Sequence, residues 1–320
     1  MRKTLPIILA AAAVLALSAC TSSATPNAST LGCTTPSFGS VSSSVAVSGD
    51  FGKTPKVTIK APLKATSTAR TVKITGKGAV AAQGDWAFIG LAAYDGTTGK
   101  KVTSTGFDGT QTTPIAVDSK QFIPGLVSTI ECLPAGSRVV STALAKTAFG
   151  GTPASGSGIK ATDSIVFVAD VVDVVPPKAS GTPQAAKPGF PTVTTASTGQ
   201  PTVTIPKTTP PTTTKVEVLK KGSGPVVKDG DNVIVQYQGT IWRTGKVFDQ
   251  SWGSSPAVFP VATGKVIKGF QTALVGQTVG SQVVVIIPPA DGYGAAGQSS
   301  AGINGTDTLV FVIDVLKTSS

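Results

Sequence analysis

Hydrophobic and polar positions alternate through most of the C-terminal half of the chain. KVEVLKKG (215–222) alternates and ends in turn residues, DNVIVQYQGTI (231–241) alternates through Val233, Val235 and Tyr237, and RTGKVFDQS (243–251) resumes a strand after a Thr-Gly turn. A period of two is that of strands with one buried face. VIKGFQTALVGQ (266–277) breaks the rhythm: Ile267, Phe270, Ala273 and Leu274 recur at helical spacing and predict a short amphipathic helix. SQVVVIIPP (281–289) is a strand run halted by Pro288 and Pro289, and DTLVFVIDVLK (307–317) is the final strand. The pattern predicts an α+β domain, a mostly antiparallel sheet with one short helix across a face.

The same pattern occurs earlier in the chain. PKVTIKAP (55–62) parallels PTVTIPKT (201–208), and GKGAVAAQGD (76–85) parallels GSGPVVKDGD (222–231). FIPGLVSTIECLPAGSRVV (122–140) parallels VIKGFQTALVGQTVGSQVV (266–284), and IKATDSIVFVADV (159–171) parallels INGTDTLVFVIDV (303–315). The offset is 146 residues early and 144 later, so the halves are a duplicated domain differing by a small deletion. Between them, residues 176–200 are rich in Pro, Thr and Ala with little hydrophobic periodicity, and are expected to form a semi-extended linker.

Composition narrows the chemistry. A chain of 320 residues is long enough for about two domains. It contains no His, which excludes Ser–His–Asp triads, Cys–His pairs and His-ligated zinc; its 3 Cys show no C-x-x-C spacing. The formal charge is +11, or +9 once Arg2 and Lys3 leave with a leader. No basic run reaches five, and no aromatics interleave with the basic residues, so no nucleic-acid partner is expected.

The leader is expected at residues 1–19. Arg2 and Lys3 precede the apolar LPIILAAAAVLAL, which ends in LSAC. LSAC resembles the bacterial lipobox, which implies lipidation of Cys20, a membrane partner through that anchor, and a place on the extracytoplasmic face of the cell membrane. Residues 20–34 then form a tether. In the oxidising compartment that export implies, the remaining Cys33 and Cys132 are expected to pair.

VQYQG, GKVFDQS, VIKGF, ADGYGAAG and DTLVFVIDVL, in that order and spacing, resemble the FKBP-type peptidyl-prolyl cis–trans isomerases. The resemblance covers about residues 215–318 and, weakly, 70–175. It implies two FKBP-like domains, 35–175 and 201–320, each an antiparallel sheet wrapped around one short helix. It also implies a pocket between helix and sheet in the second. Carried across, Tyr237, Phe248 and Phe259 are pocket walls, Asp249 is the polar group, and Val266 and Ile267 form the mouth. The Ile267 N–H is offered to a substrate carbonyl. Phe270 is the floor, where eukaryotic members carry Trp. Tyr293 presents its hydroxyl, and Ile303 and Phe311 close the far side. Gln298 stands where some members have His, and GINGTDT is one residue longer than the commonest form.

The implied activity is isomerisation of Xaa-Pro bonds in exported proteins, with no cofactor. Proline-containing polypeptides are the partners and macrolides the inhibitors. The competing readings are a non-catalytic chaperone or peptide-binding lipoprotein, and a surface adhesion protein. Carried back through the repeat, Leu91, Val102, Thr103, Leu126 and Phe149 replace Tyr237, Phe248, Asp249, Phe270 and Tyr293, while Ile123, Ile159 and Phe167 stay apolar. The first domain is therefore expected to keep the fold and lack the site.

Overall fold

The period-two runs pair into two antiparallel sheets, one from each half, in a computed structural model that describes residues 37–107, 111–153 and 157–320. The leader, Cys20, the tether and Cys33 lie outside the described residues. The first half contains α1 (Ser40–Ser44), β1 (Ala46–Ser48), β2 (Lys56–Thr58), β3 (Ala69–Ile74), β4 (Trp86–Asp95), β5 (Lys101–Thr105) and β6 (Thr113–Ala116). It continues through α2 (Pro124–Ile130), β7 (Arg138–Leu144), α3 (Ala145–Ala148) and β8 (Ser164–Val175). Its sheet has the order β3-β7-β8-β4-β5, with β6 also on β4.

The second half contains β9 (Thr182–Pro183), β10 (Thr192–Thr195), β11 (Pro201–Thr204), β12 (Lys215–Lys221), β13 (Asn232–Ile241), β14 (Val247–Gln250) and β15 (Ala257–Pro260). These are followed by α4 (Lys268–Leu274), β16 (Gln282–Ile287) and β17 (Leu309–Ser319). The order β14-β13-β17-β16-β12-β9, with β15 also on β13, repeats that of the first sheet and adds one edge strand.

Alternation decides what each face touches. Val233, Val235, Tyr237, Val283, Val285, Phe311 and Ile313 point to the side where α4 lies and pack on Phe270, Ala273 and Leu274. Burial of each such aromatic or aliphatic side chain contributes about 1.5–3 kcal/mol. Close approach of helix and sheet depends on Gly269, where a Cβ would stand 2.5 Å from Ile287 Cγ2. The helix is stopped by Gly276 at φ +83°, a left-handed conformation that favours glycine. In the first half α2 packs on the corresponding core through Leu126, Val127 and Ile130.

The opposite face corrects the linker expectation. Val284, Ile286, Val310 and Val312, with Trp242, are covered by Phe190, Val193, Val203 and Ile205. Residues 176–200 are thus a strap folded onto the second sheet: β10 pairs with β11, β9 pairs with Lys220 and Lys221, and the Ala179 N–H donates to Asp314 at 2.7 Å. The first sheet has the same cover, Val45, Val47, Val57 and Ile59 over Val140, Val166 and Val168. The β1–β2 hairpin is the repeat counterpart of β10–β11, so the second repeat begins before residue 201. Periodicity missed it because isolated apolar residues among Thr and Pro suffice to cap a sheet face that is already paired.

Phe88 and Val175 meet Ile234 and Leu316 in a small buried cluster between the halves, beside the ion pair of Asp173 with Lys317. Cys132 is disulfide-bonded, while Cys33, its expected partner, falls outside the described residues.

Candidate active site

The first strands after the strap build the site wall. On β13 the period of two that buries Val233 and Val235 also turns Tyr237 toward α4. Two residues on, Gly239 leaves room for two rings, since a Cβ there would stand 2.6 Å from Phe248 Cζ and 2.8 Å from Phe311 Cε1. β14 pairs Asp249 with Gly239, which brings its carboxylate beside the neighbouring tyrosine. The Tyr237 hydroxyl donates to Asp249 Oδ2 at 2.6 Å, and the Ser251 hydroxyl accepts from the Tyr237 backbone N–H at 2.9 Å.

Five aromatic rings then close on each other. Tyr237 meets Phe259 edge-on with centroids 5.5 Å apart and Phe270 at 6.2 Å. Phe270 meets Phe259 at 5.2 Å and Phe311 at 5.3 Å, both edge-to-face. Phe248 stands edge-on to Phe311 at 5.5 Å. Edge-to-face geometry sets positive ring edges against negative ring faces and fixes the orientation of each ring.

This wall bounds a cavity of about 430 Å³ lined by Tyr237, Asp249, Phe259, Val266, Ile267, Phe270, Tyr293 and Phe311, with Gly264 and Lys265. The size suits a small-molecule group or a short piece of chain. Eight of the ten expected residues line it. Phe248 and Ile303 do not: Phe248 stands edge-on to Phe311, and Ile303 is buried in the core that also holds Tyr237, Phe270 and Phe311. Gly264 and Lys265 were missed, and their only sequence signal is that they directly precede Val266.

The polar groups are few and aimed. Ile267 is the N-cap residue of α4, and among the described residues nothing accepts a hydrogen bond from its N–H. The Tyr293 hydroxyl likewise has no partner among the described residues, and Tyr293 is 37% exposed at the rim. Burial, then the hydrogen bond to Asp249 and that carboxylate's charge, push the Tyr237 hydroxyl well above the usual tyrosine range. Burial and the Asp249 charge raise Tyr293 as well. Both hydroxyls therefore stay protonated donors at neutral pH.

The first half has the frame without the site. Leu91, Leu126 and Phe167 are core, with Ile123, Phe149 and Ile159 packed against them. Val102 is 44% exposed and Thr103 is exposed on β5. The recess there is lined by Ile123, Pro124, Phe149 and Gly150 among others, with no tyrosine or carboxylate.

Residues 224–316 match the family described as FKBP-type peptidyl-prolyl cis-trans isomerase. An FK506-binding protein of Streptomyces anulatus is 37% identical over 97 residues, covering 30% of this chain and 78% of that protein. FK506-binding protein 4 of Chaetomium thermophilum is 40% identical over 98 residues, 31% of this chain but 20% of that longer protein. A peptidyl-prolyl cis-trans isomerase of Pseudomonas syringae, of known crystal structure, is 30% identical, with 42% of this chain and 84% of that one aligned at a TM-score of 0.31. With an aromatic pocket, a tyrosine–aspartate pair and a relative matched over most of its length, the chain belongs to the FKBP-type peptidyl-prolyl cis–trans isomerases.

Proposed function

We propose that the second domain isomerises Xaa-Pro bonds by holding the proline ring in the aromatic cavity and desolvating its amide. The observation that carries this is the cavity itself: five aromatic side chains, one carboxylate committed to Tyr237, and an Ile267 N–H with no acceptor among the described residues. A prolyl amide rotates slowly because resonance stiffens its C–N bond, with a barrier of about 18–20 kcal/mol. Twisting removes that resonance and leaves a less polar species. Phe259, Phe270, Phe311 and the ring of Tyr237 favour the less polar species over the planar, better-hydrated ground state. The Ile267 N–H holds a flanking carbonyl, and the Tyr293 hydroxyl is placed to hold another. Asp249 fixes the Tyr237 ring and supplies a constant negative field. No step transfers a proton or forms a covalent bond.

The clients we infer are exported proteins, met at the outer face of the membrane to which Cys20 anchors the chain. The lipobox-like LSAC supports this. The first domain is a non-catalytic copy, because its recess lacks the tyrosine hydroxyls and the carboxylate of the second.

A protease-coupled assay of Xaa-Pro isomerisation with the full chain tests the reading. Wild type accelerates exchange, a macrolide of the FK506 type competes, and Asp249→Val together with Tyr237→Ala abolishes the acceleration. Full activity in that double variant would show that the site is elsewhere or that the first domain is active. Loss of membrane retention on Cys20→Ala tests the anchor.

A further inference from the structure

Lys265 contributes to the cavity lining but has no part in gripping the proline ring. It closes the turn Ala262–Lys265, with its N–H donating to the Ala262 carbonyl at 3.0 Å and Gly264 at φ +76°. That turn fixes the lysine at the rim, two residues before the Ile267 N–H. The neighbouring cation Lys268 is paired, with Asp291 at 2.8 Å, and Asp291 also accepts the Thr214 hydroxyl, while the Asp249 carboxylate inside the cavity accepts the Tyr237 hydroxyl. Among the described residues no carboxylate lies within 4.0 Å of the Lys265 ammonium. A surface lysine with free rotamers is ordinarily just solvated. This one is held by its backbone at the mouth of a cavity that a bound chain must cross.

We propose that Lys265 determines specificity, selecting chains with Asp or Glu next to the proline. The inference rests on the isomerase reading above. A chain whose carbonyl meets the Ile267 N–H runs past the rim, so a flanking side chain comes within the reach of a four-carbon stem. An acidic flank finds an unmatched cation there, and a basic flank is repelled. Net charge acts in the same direction at longer range, because residues 201–320 hold ten Lys or Arg against seven Asp or Glu. A solvent-exposed ion pair of this kind is worth about a two- to five-fold difference in kcat/KM at low salt. It fades as the Debye length shrinks to about 3 Å at 1 M salt.

The test uses the full chain and peptides carrying Glu, Gln or Lys immediately before, and in a second series immediately after, a single proline. The readout is the ratio of kcat/KM for the Glu peptide to that for the Gln peptide, which cancels any general loss in a variant. Wild type is expected to give a ratio of about two to five in at least one series, falling toward one at high salt. Lys265→Gln brings the ratio to one, and Lys265→Glu inverts it in favour of the Lys peptide. A wild-type ratio of one in both series, or a preference that survives Lys265→Glu, overturns the proposal while leaving the isomerase reading intact. Binding of the same peptides, labelled and followed by anisotropy, separates the two ideas. A charge-selective binder that turns over no peptide sinks the isomerase reading, and binding indifferent to charge sinks the role of Lys265.

Discussion

Gly239→Ala tests whether the aromatic cavity dictates the sequence of the strand beneath it. The added methyl would meet Phe248 Cζ at 2.6 Å, Phe248 Cε1 at 2.9 Å and Phe311 Cε1 at 2.8 Å. Carbon atoms rest at about 3.5–4.0 Å, so each contact is short by roughly 1 Å. The backbone has nowhere to retreat, because Gly239 is paired with Asp249 on one side and Phe311 on the other. Overpacking of this kind costs about 1–3 kcal/mol. Because Phe311 lines the cavity and meets Phe270 at 5.3 Å, the displaced ring should also lower kcat/KM, by about tenfold for each 1.4 kcal/mol of lost transition-state binding.

The first half shows what relieves the clash. There Ala93 occupies the position of Gly239, Val102 that of Phe248, and Phe167, the counterpart of Phe311, is still a phenylalanine buried to 3% exposure. Adding Phe248→Val to Gly239→Ala recreates that trio and leaves Phe311 space to move into. Phe248→Val alone should cost about 1 kcal/mol as a partial cavity at a half-buried site. The double variant should therefore be at least about 1 kcal/mol more stable than the two single costs added together. Urea unfolding of the full chain, followed by fluorescence of the buried Trp242 and Trp252, measures this. Costs that add within about 0.5 kcal/mol, or a Gly239→Ala protein as stable as wild type, would refute the steric account.

Asp249→Val removes the acceptor of the Tyr237 hydroxyl and should lower kcat/KM about 10- to 100-fold, the range expected for a hydrogen bond to a charged group; a variant within twofold of wild type in the protease-coupled assay contradicts its role. With no His in the chain and catalysis by desolvation, kcat/KM should be flat from about pH 6 to 9, and a bell-shaped profile there would point to acid–base chemistry. Because the folded-state pKa of Tyr237 is raised, its contribution to stability is complete below the unfolded tyrosine value of about 10 and is lost as pH rises above it. Tyr237→Phe should accordingly show a shallower alkaline decline in urea midpoint than wild type. Asp170→Ala strands the fully buried Arg138 guanidinium, costs about 3–5 kcal/mol, and should unfold the first half while prolyl isomerisation by the second half persists.

The sequence made the sheet strands and α4 legible because each buries one face and so repeats at its own period. The strap over residues 176–200 was not legible, because a cover needs a few apolar contacts and no period; Phe190 and Val193 supply them amid Thr and Pro. Tyr237 and Asp249 were brought together by the family resemblance, and the register explains it: β14 pairs Asp249 with Gly239, two residues from Tyr237, whose hydroxyl reaches the carboxylate. Phe248 and Ile303 came from the same resemblance, which carries over a position in the chain, while whether a side chain reaches the cavity depends on local packing. Lys265 was invisible for the opposite reason, since a lysine in a turn reads as solvated whether or not a cavity opens beneath it.

The two halves separate what the fold needs from what the site needs. Each half bonds its opening glycine to the same serine, Gly76 N–H to Ser137 Oγ and Gly222 N–H to Ser281 Oγ, both at 2.9 Å. Each closes a turn on an aspartate, Ala82 N–H on Asp85 at 3.1 Å and Lys228 N–H on Asp231 at 3.0 Å. A second such turn pairs Lys160 with Asp163 at 2.7 Å and Asn304 with Asp307 at 2.8 Å. The register shift between Phe88 and Ile89 on β4 recurs between Ile234 and Val235 on β13. These shared bonds satisfy backbone groups that neither half could leave unpaired at tolerable cost. Tyr237, Asp249, Phe248 and the glycine that admits them have no equivalents in the first half, which folds without them. Folding thus does not account for a buried tyrosine tied to a carboxylate inside a ring of phenylalanines, and the proposed grip on a twisted prolyl amide would.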